Sequence, residues 1–125
     1  MRILLDTHIF LRLVSGSRQI TSKAKTLIDG ADKIFISSAT IWEVAIKMRL
    51  GKLTADPEEL IKEIERNGFE ELPVFAGHAK EVSRLPLHHT DPFDRLLVAQ
   101  AMTEPMQLLT ADTDFSPYSS LVVVV

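Results

Sequence analysis

Ile3-Leu4-Leu5-Asp6-Thr7-His8-Ile9-Phe10-Leu11-Arg12-Leu13-Val14 changes its hydrophobic period at Asp6. Ile3, Leu4 and Leu5 make an uninterrupted apolar run, as expected of a strand buried on both faces. Beyond the acid, Ile9, Phe10, Leu13 and Val14 recur at helical spacing until Ser15-Gly16-Ser17 stops them. The chain therefore passes from a strand directly into a helix, and Asp6 stands at the strand's carboxyl end.

The same alternation continues outward. Thr21 or Ser22 caps a helix through Ala24, Leu27 and Ile28 that Gly30 ends, and Ile34-Phe35-Ile36 reads as the next strand. Ser37 and Ser38 open a helix that runs through Glu43 to Leu50 and closes at Gly51. Asp56-Pro57-Glu58-Glu59 combines a capping carboxylate, a first-turn proline and acids at the positive end of the helix dipole, ahead of Leu60, Ile61 and Ile64. Phe69 to Phe75 is a short strand broken by proline, and Ala79, Val82 and Leu85 form a helical stripe ending before Pro86. A polar loop, His88-His89-Thr90, precedes a helix opened by Asp91-Pro92. Met106 to Leu109 gives a strand ending near Thr110, and Leu121 to Val125 is a closing β-branched run. Strands alternating with helices predict an α/β fold whose central sheet is mainly parallel and flanked by helices.

The chain has 125 residues, 46% hydrophobic and 25% charged, which predicts a single domain over 1–125. It has no cysteine, so a thiolate metal site, a disulfide framework and a cysteine nucleophile are excluded. A formal charge of -3 argues against a protein that coats nucleic acid through overall basicity, so any nucleic acid must be held locally. The sequence has no secretory apolar region and no stretch near the roughly 20 apolar residues of a membrane span, so a cytoplasmic protein is expected.

The acids fall into a pattern once placed on these elements. Asp6 and Asp112 follow the carboxyl ends of strands, where open α/β sheets form their binding crevice. Glu43 and Asp94 lie near the starts of helices, and a helix after a parallel strand begins at that same edge. All four can converge. Carboxylates about 4 Å apart repel by roughly 1 kcal/mol in water and about 4 kcal/mol at an intermediate dielectric, and a divalent cation offsets that repulsion. Oxygen-only ligands favour Mg²⁺, or Mn²⁺, over zinc. Such an ion activates water and neutralises charge on a phosphate, which makes phosphodiester hydrolysis the natural chemistry.

Structural roles compete for some of these residues. Asp91 before Pro92 has the form of a helix cap, Asp94 can reach back toward that cap, and Asp114 suits a turn before Phe115. Glu43 is spaced to pair with Lys47, four residues on, yet it stands among Ile41, Trp42 and Val44. Lys47, Arg49 and Lys52 form the densest basic patch. Arg95, next to Asp94, offers a guanidinium to a phosphate or to a partner's carboxylate. His8, His88 and His89 lack ligand spacing and receive no catalytic role.

Ile3-Leu4-Leu5-Asp6-Thr7-His8, Ser38-Ala39-Thr40-Ile41-Trp42-Glu43-Val44-Ala45-Ile46-Lys47, Asp91-Pro92-Phe93-Asp94-Arg95-Leu96-Leu97-Val98-Ala99-Gln100-Ala101 and Leu108-Leu109-Thr110-Ala111-Asp112 together resemble PIN domains. More narrowly they resemble VapC-type toxins of bacterial and archaeal toxin-antitoxin pairs. The resemblance spans nearly the whole chain in order. It implies a three-layer PIN-like fold and a Mg²⁺- or Mn²⁺-dependent endoribonuclease with catalytic acids Asp6, Glu43, Asp94 and Asp112. Asp6 and Asp94 would bind the metal, Glu43 would orient or deprotonate the attacking water, and Asp112 would complete the pocket with Thr110 contributing a hydroxyl. It also implies a homodimer and a VapB-like antitoxin that obstructs the acidic site.

Two other function classes share parts of this pattern. A PIN-like module could bind RNA or a partner without cutting. A receiver-like signalling domain would also hold Mg²⁺ in an acidic pocket, but it carries adjacent acids after its first strand, whereas Thr7 follows Asp6 here.

Overall fold

Side chains of the central strands alternate between two cores, and that alternation builds the fold. The computed structural model describes residues 1–88 and 90–125. In β1 (Arg2–Leu5), Ile3 and Leu5 enter one core and Leu4 the other. In β2 (Lys33–Ser37), Ile34 and Ile36 join the first core and Phe35 the second; in β4 (Gln107–Thr110), Leu109 and Leu108 divide likewise. The first core is closed by Ile9 and Phe10 of α1 (Thr7–Val14), Ala24 of α2 (Ser22–Asp29), Val44 of α3 (Ser38–Arg49), and Leu60 and Ile64 of α4 (Pro57–Arg66). Leu97, Val98, Ala99 and Ala101 of α6 (Pro92–Thr103) close the second, with Phe115 and Tyr118. Each such Leu, Ile or Phe contributes about 1.5–3 kcal/mol on burial, so both sheet faces are strongly held. The result is a three-layer α/β architecture.

With β3 (Glu70–Leu72) and β5 (Val122–Val124), the sheet has five strands in the order β3-β2-β1-β4-β5, and every pairing is parallel. The expected mainly parallel sheet is parallel throughout. Ile3 pairs with Ile34 on one side and Gln107 on the other. The chain builds outward from β1 through β2 to β3, then crosses to β4 on the opposite flank. That reversal makes the carboxyl end of β1 a topological switch point, where such sheets open a crevice.

Helix starts follow the capping signals. Asp6, Thr21, Ser37, Asp56 and Asp91 accept hydrogen bonds from first-turn amides, so Thr21 rather than Ser22 caps α2. After α3, Gly51 takes a φ of 72°, which suits a residue without Cβ. The strand expected over Phe69 to Phe75 spans only Glu70–Leu72, because Pro73 has no amide to extend the ladder. The stripe at Ala79, Val82 and Leu85 divides into α5 (Ala76–Glu81) and a 3-10 turn, Val82–Arg84. His89 of the predicted polar loop lies outside the described residues. Among the described residues no helix is long and apolar enough to cross a membrane.

Candidate active site

Asp6 follows β1 and caps α1, which fixes its carboxylate at the switch point. Its Oδ1 accepts from the Ile9 amide at 2.8 Å, and its Oδ2 accepts from the hydroxyl of Thr110, the last residue of β4. Only 3% of Asp6 is exposed. Burial pushes its carboxyl above the ordinary value of 3.8; the Thr110 hydroxyl, the Ile9 amide and the charges of His8 and Arg12 oppose that rise without cancelling it. Thr110 also accepts from the Asp112 amide at 3.1 Å, so one hydroxyl ties the two acids together. Asp112 in turn caps the 3-10 segment Thr113–Tyr118 by accepting from the Asp114 amide. Asp6, His8, Arg12, Ala111 and Asp112 line an open cleft of about 250 Å³.

A second acid stands behind Thr7. The Thr7 hydroxyl donates to Glu43 Oε1 at 2.7 Å and lies 3.1 Å from the Thr40 hydroxyl. Glu43 is 1% exposed, and its Oε2 accepts from Lys47 Nζ at 2.6 Å. The predicted spacing with Lys47 therefore forms an ion pair, but with the carboxylate buried rather than on a solvated face. The hydrogen bond to Glu43 raises the Lys47 pKa against its partial burial, and the charges of Glu43, Asp91 and Asp94 add to it. Asp94, half-buried in the first turn of α6, thus acts on the same lysine as Glu43. An edge-to-face contact between Trp42 and Phe93, with centroids 4.9 Å apart, packs α3 against α6 through the residues preceding these two acids.

The four acids therefore fall into two linked groups: Asp6 with Asp112 through Thr110, and Glu43 with Asp94 around Lys47. Among the described residues no three His, Asp or Glu side chains form a group that could hold a metal ion, so the arrangement is looser than the expected gathering of four. Threonine hydroxyls and Lys47 offset the carboxylate charge here. Asp6 and Asp112 on one cleft still provide the one or two oxygen ligands that Mg²⁺ ordinarily takes while keeping several waters, so the donor set fits a hard cation.

Arg95 is placed differently from its expected role. Its guanidinium donates to the carbonyls of Val82, Leu85 and Pro86 and to the Tyr118 hydroxyl, at 2.8–3.2 Å. Adjacency to Asp94 suggested a phosphate contact, but one step along a helix turns a side chain by about 100°, and Arg95 binds the 82–86 segment instead. Asp91 takes the capping role, accepting from the Phe93 and Asp94 amides at 2.9 and 3.0 Å. Asp114 is exposed in the first turn of the 3-10 segment, its amide donating to Asp112 Oδ1, rather than in a simple turn. Sequence reasoning did not single out Thr7 or Arg12. The signal for Arg12 was its spacing of four from His8 on α1, which puts both on one face.

A sequence model of the PIN domain matches residues 3–120. No curated protein matches the chain significantly. Among solved structures, a VapBC2 complex from Rickettsia felis bound to a promoter DNA fragment is similar, with TM-score 0.69, 16% identity, and coverage of 100% of this chain and 98% of that one. A toxin-antitoxin complex from Klebsiella pneumoniae gives TM-score 0.68 and 23% identity over 98% of this chain and 96% of that one. VapBC-5 from Mycobacterium tuberculosis gives 0.65 and 22% over 99% and 97%. Strand order, the acid at the end of β1 and the match over most of the sequence agree: the chain belongs to the PIN domain family.

Proposed function

We propose that the chain is a single-domain, cytoplasmic endoribonuclease of VapC type, dependent on Mg²⁺ or Mn²⁺ and restrained by a VapB-like antitoxin. The observation that carries the proposal is the buried carboxylate of Asp6, sharing an open cleft with Asp112 at the switch point of the sheet. Similarity to solved toxin-antitoxin complexes supports the toxin reading and a VapB-like partner, and the resemblance to VapC-type toxins implies a homodimer.

Asp6 would hold the ion, with Asp112 beside it and Asp94 contributing from the first turn of α6, directly or through water. When bound, the ion supplies an acidified water and neutralises charge on the phosphate. Glu43 accepts from Thr7 and Lys47 and retains lone pairs to orient a water or take its proton. Lys47 donates to the buried Glu43 carboxylate, its charge also acts with Asp94, and it would meet a substrate phosphate there. Thr110 fixes the rotamer of Asp6.

Purified, antitoxin-free protein incubated with total RNA should cleave it with Mg²⁺ or Mn²⁺ and stop on chelation. Asp6→Asn and Asp94→Asn should each lose at least about a hundredfold in rate, the scale on which removing a preorganised charge acts. Equal cleavage by the variants would identify a contaminating nuclease. Binding of RNA without cleavage by folded protein would favour a non-cutting PIN module.

A further inference from the structure

We propose that Arg12 is the phosphate anchor of the cleft, holding the non-bridging oxygens of a single-stranded RNA phosphate next to the one being cut. The proposal rests on the ribonuclease reading above and names a residue that neither sequence motifs nor the acid set assign.

Arg12 lies in the last turn of α1, four residues after His8, and both line the cleft that contains Asp6 and Asp112. Among the described residues its guanidinium forms no hydrogen bond and no ion pair, although it is half-buried. Arg95, by contrast, uses its donors on backbone carbonyls and Tyr118. An arginine held against acids yet bonded to none presents its planar fork to whatever enters the cleft, and that geometry matches two oxygens of a phosphate. Its charge already acts on Asp6, where it opposes the effect of burial.

A cation in the last turn also complements the helix dipole. That effect accounts for a positive residue near the end of α1 but not for the side of the helix it occupies. Arg12 additionally borders a larger groove of about 430 Å³, whose lining includes Leu53 and Leu60 and the acids Asp56, Glu59 and Glu63, so RNA phosphates are favoured on the Asp6 side of Arg12 where a cation would bind. Arg12 thus lines both the acidic cleft and that groove. A chain of net charge -3 needs such a local cation to hold RNA at all. The small, open cleft suits a splayed single strand rather than a duplex.

The test measures binding of a labelled, mixed-sequence single-stranded RNA to full-length Asp6→Asn protein across a salt series, by fluorescence anisotropy. Adding Arg12→Gln should flatten the slope of log K against log salt by about 0.7, the contribution of one phosphate on a single strand. Affinity should fall about tenfold at low salt, the scale of one charge-assisted contact. Arg12→Lys should restore the slope and only part of the affinity. In the active protein, Arg12→Gln should raise KM more than it lowers kcat. An unchanged slope, or an equal loss from Lys25→Gln at an exposed site outside the cleft, overturns the anchor while metal-dependent cleavage by the parent leaves the nuclease reading intact. Intact RNA binding with loss of capture by a co-expressed antitoxin would assign Arg12 to the partner instead and also overturn it. A parent that neither binds nor cleaves RNA overturns both readings. Thermal unfolding of each variant confirms that it folds.

Discussion

Two of the buried polar clusters among the described residues, one around Asp6 and one around His78, differ in whether their charge has an outlet. At the carboxyl edge of the sheet, Asp6 is a carboxylate held by an amide and a hydroxyl, and it borders an open cleft. On the other sheet face, His78 of α5 is 1% exposed and closed on itself. Its Nδ1 accepts from the Phe75 amide at 3.0 Å, which leaves the proton on Nε2 to be donated to Glu104 Oε2 at 2.7 Å. Gln100 packs beside it and donates to the Pro73 carbonyl. This second cluster ties α5 and the end of β3 to α6, and its donors are spent within the fold; among the described residues Gln100 Oε1 is the one buried side-chain acceptor left without a partner. Burial of a titratable group therefore does not distinguish a working site from a staple; the presence of an accessible cavity beside the group does.

The sharpest way to break the comparison is to damage each cluster in turn. Asp6→Asn should remove cleavage while leaving the fold intact, since asparagine caps helices about as well as aspartate. His78→Ala should do the reverse. It strands the Phe75 amide and leaves a cavity, so a loss of about 3 kcal/mol and a fall of roughly 10 °C in Tm are expected, with cleavage per folded molecule unchanged. Loss of cleavage in a folded His78→Ala protein would mean that the two clusters are coupled through α6.

A smaller effect separates the two arginines. Arg95→Ala removes the contacts to Val82, Leu85, Pro86 and Tyr118 and should cost about 1–2 kcal/mol in denaturant unfolding, given its partial exposure. The salt slope of RNA binding should stay as in the parent. A flatter slope would place Arg95 on the RNA after all.

Much of this was legible because it depends on local period. The apolar run of Ile3 to Leu5, the helical spacing after Asp6 and the caps at Asp56 and Asp91 set the elements and put four acids at one edge. What stayed hidden depends on side-chain direction. Adjacency to Asp94 in sequence points Arg95 toward a phosphate or a partner's carboxylate, but helical rotation directs it to the 82–86 carbonyls. Thr7 stands in the opening motif with no role assigned to it, yet its hydroxyl is what joins the end of β1 to Glu43. The His78–Glu104 contact spans 26 positions and no periodicity announces it. The division of the acids into pairs was equally invisible, because spacing reports which edge a residue reaches and not which hydroxyl or lysine it meets there.

The finest test of the comparison uses pH. Asp6 has a folded-state pKa raised above 3.8 by burial, so its contribution to stability is fully present below that unfolded value and is lost as pH rises through the raised one. Above its raised pKa the metal-free protein carries a buried anion at a cost, and Asp6→Asn should relieve it. The variant's Tm should exceed the parent's near neutrality, and the gain should shrink toward zero below about pH 4. Lys47 does not blur this window. Its raised pKa gives stability that is fully present below 10.5 and lost only as pH rises through the folded value. A divalent cation favours the ionised carboxylate, so Mg²⁺ should raise the parent's Tm more near neutrality than in acid and should leave Asp6→Asn unmoved. A variant less stable than the parent at neutral pH, with Mg²⁺ still shifting its Tm, would place the cation elsewhere and reduce Asp6 to a helix cap.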